Sequence, residues 1–485
     1  MRSKYKHQIL STFVLMDGFL EDKNFLKNIK DINKFIDGYV FINNKINQNI
    51  ELNQEFLFLN EQLANNLAEI INMYNNNFLN DLEETFKKTY DIYLLWKTKL
   101  SELTKYKVAI IGINKLTSGM DKIIDNQKAE IVNYIDITNK HEGKELLGRK
   151  IISLKDIDNI SCDYLISVLP QKDIITQLVN SELVDSDFFF DYYYYQNLVM
   201  ASPEFFIKYS NFINNNKEYS GILTGLSYTQ KGVKEEYLEG NFFNFANPAQ
   251  DIFYDFEMFK YAYSFKEIKD NIKYAIIGLS YYSFHYDLSK SKNKHRTNYY
   301  YPIVRDFHNY GFINQVSQYH QTENSLNEII FHSDHLLRLF EPQKGEFEKQ
   351  IEETNNLTYN CQNKNEEEIL KDIQFIRRDF NKNYPETVEE NKLVLSNYLD
   401  FLQQKSIKPI IIICPVTKLY QSFAPSRFKE EFYEIMDELR KKYDFQLLDY
   451  FNSNAFEDSD FYDPSHINNK GAKKLSLLLN KDIIW

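Results

Sequence analysis

Asp463 and His466 stand three positions apart, directly before an amphipathic stretch near the C-terminus. A carboxylate in the same short loop as an imidazole can orient the ring and stabilise its protonated form while it accepts a proton. Ser227 follows the apolar run 221–223 closely, which is typical of a hydroxyl group exposed at the end of a strand. We therefore predict a Ser227–His466–Asp463 triad that acts on esters through an acyl-enzyme on Ser227.

Taken singly, these residues also fit ordinary structural roles. A serine after a strand can cap a helix, and a histidine near a helix start can cap or pack. The combination with Asp463 favours the catalytic interpretation of Ser227 and His466. His332 and His335 are also three apart, but no third ligand accompanies them in the sequence, so we predict a solvated helix face and no metal site.

The triad residues lie in an α/β pattern that runs from residue 216 to residue 485. Short apolar runs there each end in a polar or glycine-containing turn, and they cover residues 221–223, 274–278, 409–414 and 445–448. Such runs separated by helical segments predict a parallel sheet. A charged, mostly helical insertion interrupts the pattern at about 291–405. We predict that its middle, 341–368, is a flexible loop and that the insertion covers the active site as a lid.

A second, smaller α/β pattern precedes it at 105–200 and predicts a Rossmann-like domain. Its apolar runs lie at 107–111, 131–137, 150–154, 164–169 and 188–195. Ligands of parallel sheets bind at the carboxyl ends of the strands, so Gly112 and Asp136 mark the place where a nucleotide would bind. Gly112 and Gly119 are too far apart for a dinucleotide-binding fingerprint. A module that organises the neighbouring domain, or senses a sugar nucleotide, is the alternative.

Residues 1–104 are predicted to be helical. Apolar residues recur at spacings of three and four from Leu63 to Tyr90, without an internal proline or glycine, which indicates one long amphipathic helix. Such a helix buries its apolar face against a helical partner. The partner is either in the same chain, as a hairpin, or in a second copy, as a homo-oligomer.

Composition limits the classes of partner. The chain has 485 residues, enough for two or three domains, and a net charge of -12 without a basic stripe, which argues against nucleic acid. Its three cysteines form no pair typical of a metal or disulfide framework, and the apolar stretch near the N-terminus is too short to span a membrane. We expect a cytoplasmic protein without a bound cofactor.

Residues 220–485 resemble the SGNH or GDSL-type serine hydrolases and acyltransferases. The last block of that family, Asp-x-x-His, matches Asp463 and His466, with Asn469 and Gly471 downstream. The first block places the nucleophile at Ser227, although the usual Gly-Asp-Ser reads Gly-Leu-Ser here. The resemblance implies a flavodoxin-like three-layer α/β domain that carries the Ser-His-Asp triad.

The resemblance also implies an oxyanion hole. The second block of the family usually reads Asn-x-Gly-x-x-Gly; here alanine stands at both glycine positions, and the block ends at Ala249. The third block usually reads Gly-x-Asn, and here Ser280 stands in place of the asparagine. The backbone N–H groups of Ser227 and Ala249, with Ser280, would then hold the oxyanion, because alanine keeps its N–H. Asn247 is an alternative donor in place of Ser280.

Segments 243–251 and 281–289 are similar to the branch of this superfamily that handles bacterial surface polysaccharides, including O-acetyltransferases and D-alanyl transfer proteins. This similarity implies an acylated sugar or glycan precursor as substrate, with Asn244, Asn247 and His285 as candidate pocket residues. His285 and Asp287 are alternatively polar residues that stabilise the fold. We predict an esterase, deacetylase or O-acyltransferase; the alternative is a non-catalytic scaffold that binds a glycan or nucleotide sugar.

Overall fold

The structure is a computed structural model, and it describes most of the chain. The described residues are 6, 8–9, 12, 16, 29–49, 52–76, 79–169, 189–192, 199–215, 217–304, 306, 308–309, 330–332 and 334–485. The chain divides into two compact units, Met1–Tyr195 with Val316–Arg338, and Gln196–Gln315 with Leu339–Trp485. Each unit combines helices with a mostly parallel sheet, so the predicted mixed α/β class is confirmed.

Between residues 29 and 103, the described part of the chain forms three helices: α1 (Ile29–Asn49), α2 (Gln54–Asn75) and α3 (Leu79–Leu103). The predicted single long helix is wrong, because Asn76 ends α2 and a second helix begins at Leu79. The run of asparagines at this point explains the break, since asparagine is a poor residue for a helix interior. The buried apolar faces of α2 and α3 pack together in one core, so the intrachain partner exists. Assembly with a second copy stays a prediction.

Within the described residues, the first sheet has six strands in the order β3-β4-β2-β1-β5-β6. They are β1 (Tyr106–Ile111), β2 (Ala129–Asp136), β3 (Glu145–Leu146), β4 (Arg149–Ser153), β5 (Tyr164–Ser167) and β6 (Phe189–Asp191). All neighbours are parallel except β3 and β4. The predicted strands are confirmed. Of the predicted run 188–195, the structure describes only residues 189–192. The two-residue β3 was not predicted. A short helix, α4 (Met120–Ile123), follows β1.

In the described part of the second unit, the sheet has five parallel strands in the order β11-β10-β9-β7-β8. They are β7 (Gly221–Gly225), β8 (Phe242–Asn244), β9 (Tyr274–Leu279), β10 (Lys408–Ile413) and β11 (Gln446–Asp449). Four of them coincide with predicted apolar runs. The edge strand β8 was missed because it has only three residues, too few for a recognisable period.

Twelve further helices are described after β6. They are α5 (Pro203–Asn214), α6 (Ser227–Gly232), α7 (Ile252–Ser264), α8 (Lys266–Asn271), α9 (Thr297–Val304), α10 (His335–Phe340), α11 (Lys344–Asn355), α12 (Glu366–Phe380), α13 (Pro385–Gln404), α14 (Lys418–Phe423), α15 (Ser426–Arg440) and α16 (Asn469–Asp482). Among the described helices, none combines the length and the apolar character that crossing a membrane requires.

The middle of the insertion contains a helix where the sequence predicts a flexible loop. Helix α11 occupies much of the predicted flexible loop 341–368, and the backbone N–H of Tyr359 donates to the carbonyl oxygen of Phe461 at 2.7 Å. The loop prediction is therefore wrong. The segment is rich in charged residues because every side chain of α11 is at least partly exposed. Residues 310–329, within the predicted insertion, lie outside the described part of the chain.

Candidate active site

Ser227 is the first residue of α6, and Leu226 alone separates it from the end of β7. The turn between them depends on Gly225, whose φ is +142°, a conformation that residues with a Cβ rarely adopt. A Cβ on Gly225 would also lie 2.6 Å from the carbonyl oxygen of Gly278 on the neighbouring strand β9. The close approach of these two strands therefore requires glycine, and it sets where Ser227 leaves the carboxyl edge of the sheet.

Ser227, His466 and Asp463 form a continuous hydrogen-bonded chain. The distance from Ser227 Oγ to His466 Nε2 is 2.8 Å. On the other side of the ring, His466 Nδ1 lies 2.8 Å from Asp463 Oδ2 and 3.1 Å from Oδ1. The structure thus brings together a serine and an Asp-x-x-His segment that are 239 positions apart along the chain.

The Asp463 carboxylate is also held by its own loop. Its Oδ1 accepts hydrogen bonds from the backbone N–H groups of Ser465 and His466, each at 2.8 Å. Burial acts to raise the pKa of Asp463, but the charge and hydrogen bonds of His466 and the backbone donors outweigh it, and the pKa is lowered. An ionised carboxylate only accepts, so Nδ1 of His466 carries the proton and Nε2 presents its lone pair to Ser227.

Helix α16 anchors the end of this loop. The side-chain oxygen of Asn468 caps the helix by accepting from the N–H of Gly471 at 3.0 Å. The Asn468 amide group donates to the carbonyl oxygens of Leu357, Ser459 and Phe461 at 3.0–3.2 Å. The loop that carries His466 is therefore fastened both to the last helix and to the insertion.

Tyrosine rings pack against the imidazole. The His466 ring stacks on the rings of Tyr228 and Tyr462, with centroids 5.1 Å and 5.5 Å apart. The Tyr228 hydroxyl donates to Asp379 Oδ2 at 3.1 Å, and the Tyr420 hydroxyl donates to the same oxygen at 2.9 Å. These contacts connect the imidazole to α12 of the insertion.

Asp379 was not identified from the sequence. Burial raises its pKa, although the charge of Lys382 and the hydroxyls of Tyr420 and Tyr228 act in the opposite direction. Asp379, Tyr228 and Tyr420 come from three distant segments, and nothing in their local sequence marks them as partners. Only the folded chain shows that they meet beside His466.

Ala249 and Ser280, two of the candidate oxyanion-hole residues, differ in backbone conformation and in hydrogen bonding. Ala249 has a φ of +62°, in the left-handed region that favours glycine, which fits a position where the resembled family has glycine. Ser280 is buried, and its backbone N–H donates to Ser283 Oγ at 2.8 Å. The Ser280 N–H is therefore engaged, and any contribution of Ser280 to an oxyanion hole would come from its hydroxyl group.

The two candidate asparagines differ in how fully they are engaged. Asn244 Oδ1 accepts from the N–H of Ala246 at 2.9 Å, and its amide donates to the carbonyls of Thr229 and Val233 at 3.3 Å, so it braces the turn around α6. Asn247 is also buried, and its Nδ2 donates to the Tyr300 hydroxyl at 3.2 Å. Its Oδ1 has no hydrogen-bond partner among the described residues.

Replacing Ala249 by glycine is expected to leave the free energy of unfolding unchanged or to raise it by up to about 1 kcal/mol. Glycine relieves the left-handed strain, which offsets its larger conformational entropy in the unfolded chain. Urea unfolding measures the change. The matched control Ala262→Gly, at a buried position in the last turn of α7, should instead destabilise the protein by about 1 kcal/mol. A clear loss of stability in Ala249→Gly would contradict this account of the turn.

His285 is buried, and both nitrogens of its ring have hydrogen-bond partners. Its Nδ1 accepts from the backbone N–H of Tyr384 at 3.1 Å, and its Nε2 lies 2.6 Å from Glu431 Oε2. These bonds tie the segment after β9 to α13 and α15. The ring also lines a cavity in the second unit, together with Asp287. Both of the sequence interpretations of His285 therefore remain open.

Gly112 and Asp136 lie at the carboxyl ends of β1 and β2 in the first unit. Asp136 Oδ1 accepts from the N–H and hydroxyl of Thr138 at 2.8 and 2.7 Å, and Oδ2 accepts from the N–H of His141 at 2.7 Å. Burial acts to raise the pKa of Asp136, but these donors lower it to about 2. The carboxylate thus organises its own loop, and nucleotide binding at Gly112 and Asp136 stays a prediction.

The histidines considered as metal ligands lie in the first unit. Burial lowers the pKa of His335 to about 4, and its Nδ1 lies 2.9 Å from the carbonyl oxygen of His332. His335 is buried, so the prediction of a solvated helix face is wrong for it. Among the described residues, neither histidine belongs to a group of three metal-ligating side chains.

One other group brings three possible ligand atoms within 4.8 Å of one another, on Asp251, Asp287 and His308. Asp251 Oδ1 caps α7 through the N–H of Tyr254 at 2.9 Å, and Lys290 Nζ lies 3.2 Å from Asp287 Oδ2. Burial raises the pKa of Asp251 to about 6. Because both carboxylates already have partners within the protein, we interpret the group as a buried polar cluster that supports the segment after β9.

A comparison with protein families finds a match in the segment that contains most of the first sheet. Residues 104–187 match a family model described as C2185-like, N-terminal. No curated protein matches the chain. The match ends well before Ser227, so any function of the second unit has to be argued from its own geometry.

Proposed function

We propose that the second unit is an SGNH-type serine esterase, deacetylase or O-acyltransferase that acts on an acylated sugar or glycan precursor. The observation that carries the proposal is the hydrogen-bonded chain from Ser227 through His466 to Asp463. A nucleophile, a base and an orienting carboxylate in contact are the geometric requirement for acyl transfer by serine.

The strand order supports the same proposal. Numbered from β7, the five parallel strands follow the order 2-1-3-4-5, which is that of flavodoxin-like doubly wound sheets. In such sheets ligands bind outside the carboxyl ends of the strands. Ser227 follows the carboxyl end of β7, one of the two strands beside the point where the strand order reverses.

In the first half-reaction, Ser227 Oγ attacks the acyl carbonyl carbon while His466 Nε2 accepts the hydroxyl proton. The charge that develops on the carbonyl oxygen would be held by the backbone N–H groups of Ser227 and Ala249, with the Ser280 hydroxyl. The imidazolium, stabilised by Asp463, then donates its proton to the departing sugar oxygen. The acyl group is left as an ester on Ser227.

The second half-reaction decides between hydrolase and transferase. His466 takes a proton from the incoming hydroxyl group as that oxygen attacks the acyl-enzyme. When the tetrahedral intermediate collapses, the imidazolium returns this proton to the departing Ser227 Oγ. Water as acceptor gives free acid, and a sugar hydroxyl gives a new sugar ester. We place this chemistry in the cytoplasm, where the first unit would organise the enzyme or sense a nucleotide sugar.

The experiment supplies an acetylated monosaccharide to the purified protein, with and without a second sugar, and measures free acetate and acetylated product. Wild-type protein is expected to release acetate from the ester. If the protein is a transferase, adding the second sugar should yield acetylated second sugar and less free acetate. Ser227→Ala should lose both products by several orders of magnitude. Equal product from wild type and from folded Ser227→Ala would remove Ser227 from the mechanism.

A further inference from the structure

A cavity of about 640 Å³ lies in the second unit. Its walls come from the segment after β9, the end of α12 and the start of α13. Asp379 lines it and accepts a hydrogen bond from Tyr228, the residue next to Ser227, at 3.1 Å. Tyr228 also stacks on the His466 ring, so it links a residue of the cavity wall to the proposed triad. The cavity volume is within the range usual for small-molecule sites.

The cavity wall is rich in cations. Lys290, Lys292, Arg378 and Lys382 line it, against two carboxylates. The Lys290 ammonium is 3.0–3.2 Å from Glu390 and Asp287. Among the described residues, the other three form no ion pair. The whole chain carries a net charge of -12, so this local excess of positive charge is not a consequence of overall composition.

Lys382 is the most constrained of these cations. Its Nζ donates to the carbonyl oxygens of Arg378, at 3.2 Å, and Asp379, at the end of α12, and lies 4.3 Å from the centre of the Tyr282 ring. Burial lowers its pKa to about 8, although the negative charge of Asp379 acts in the opposite direction. An ammonium group has three donors, so the two carbonyl bonds leave one N–H for a ligand.

Aromatic and amide side chains complete the wall. Phe375 and Tyr384 offer ring surfaces of the kind on which a sugar ring packs, and Asn293 and Asn381 offer both donors and acceptors. A ring surface beside more cations than carboxylates matches a sugar that carries a negative charge. Phosphate and carboxylate groups share that chemistry.

We propose that this cavity binds the anionic group of a sugar substrate, a phosphate or a carboxylate, while the acyl ester of that sugar lies at Ser227. The inference rests on the proposed function and narrows its substrate class to acylated anionic sugars. Arg378, with its planar donor group, and Lys382 are the residues that contact the anion.

The test measures binding of three probes to the wild-type protein by calorimetry: glucose 1-phosphate, glucuronic acid and glucose. At least one of the two anions should bind more than tenfold more tightly than neutral glucose. Arg378→Gln and Lys382→Gln should each weaken that anion about tenfold, because a charge-assisted contact is lost. Arg377→Gln is the matched control, since Arg377 is exposed, does not line this cavity, and should change affinity less than twofold.

Two results would overturn the inference. One is that neither anion binds more tightly than glucose; the other is that the Arg378→Gln and Lys382→Gln proteins bind the anions as the wild type does. Hydrolysis of p-nitrophenyl acetate, which carries no anionic group, reports the triad separately. Turnover without anion binding contradicts this inference alone, and anion binding without turnover contradicts the proposed function alone.

Discussion

Replacing His466 by alanine is expected to lower ester turnover by roughly four to six orders of magnitude. The imidazole accepts the Ser227 proton across a distance of 2.8 Å and returns it to the leaving oxygen, so both half-reactions lose their proton carrier. Steady-state hydrolysis of an acetyl ester measures the effect. The loss should be in kcat, because the substrate contacts are unchanged.

The matched control for this variant is His295→Ala, which removes an exposed histidine of the same unit. Its turnover should stay within about twofold of wild type. Circular dichroism and thermal unfolding establish that both variants are folded. A loss of less than about tenfold in folded His466→Ala would show that this imidazole is not the general base.

Replacing Asp463 by asparagine is expected to lower turnover by roughly three to four orders of magnitude. The amide can donate to Nδ1, which allows the tautomer whose Nε2 carries a proton and cannot accept the proton of Ser227. The variant also lacks the charge that stabilises the imidazolium. Asp437→Asn, at an exposed carboxylate on α15, is the control and should retain turnover.

The same variant has a signed effect on stability. The pKa of Asp463 is lowered in the folded protein, so the ionised carboxylate contributes stability above the pKa of the unfolded chain, about 4. That contribution is lost as pH falls through the lower, folded pKa. Urea unfolding should therefore show Asp463→Asn less stable than wild type at pH 7, with the difference shrinking below about pH 4. A difference that grows on acidification would contradict the assigned direction.

The core of the candidate site was predictable because its signals are local. Asp463 and His466 share one loop, and their spacing alone suggests a carboxylate that orients an imidazole. Ser227 follows an apolar run, and general rules place functional residues at the carboxyl ends of parallel strands. The contact between residues 239 positions apart follows from this shared edge and needs no long-range signal.

The surroundings of the site were not predictable in this way. The bonds from Tyr228 and Tyr420 to Asp379 join three distant segments, and any of these side chains could equally be on the surface. The insertion also carried a misleading signal. A composition typical of a loop describes 341–368, but α11 forms there, and Tyr359 nearby bonds to the segment that precedes His466.

In the helical region, the sequence pattern predicts one continuous helix where the chain forms two. The spacing from Leu63 to Tyr90 continues across the turn between α2 and α3, so periodicity alone predicts one helix. The side chains of Leu63 and Trp96 are buried in the same core, which requires the chain to reverse. A short run of weak helix formers decides the fold here, and a pattern averaged over many residues hides it.

Covalent labelling with a fluorophosphonate tests the central claim most directly, because the reagent reacts with a serine that an adjacent base activates. Intact mass and peptide mapping should show one adduct on Ser227 in the wild type, no adduct in Ser227→Ala, and much slower labelling in His466→Ala. Ser422→Ala, at an exposed serine of α14, should label like the wild type. Absent labelling of folded wild type, or equal labelling of Ser227→Ala, would contradict the triad.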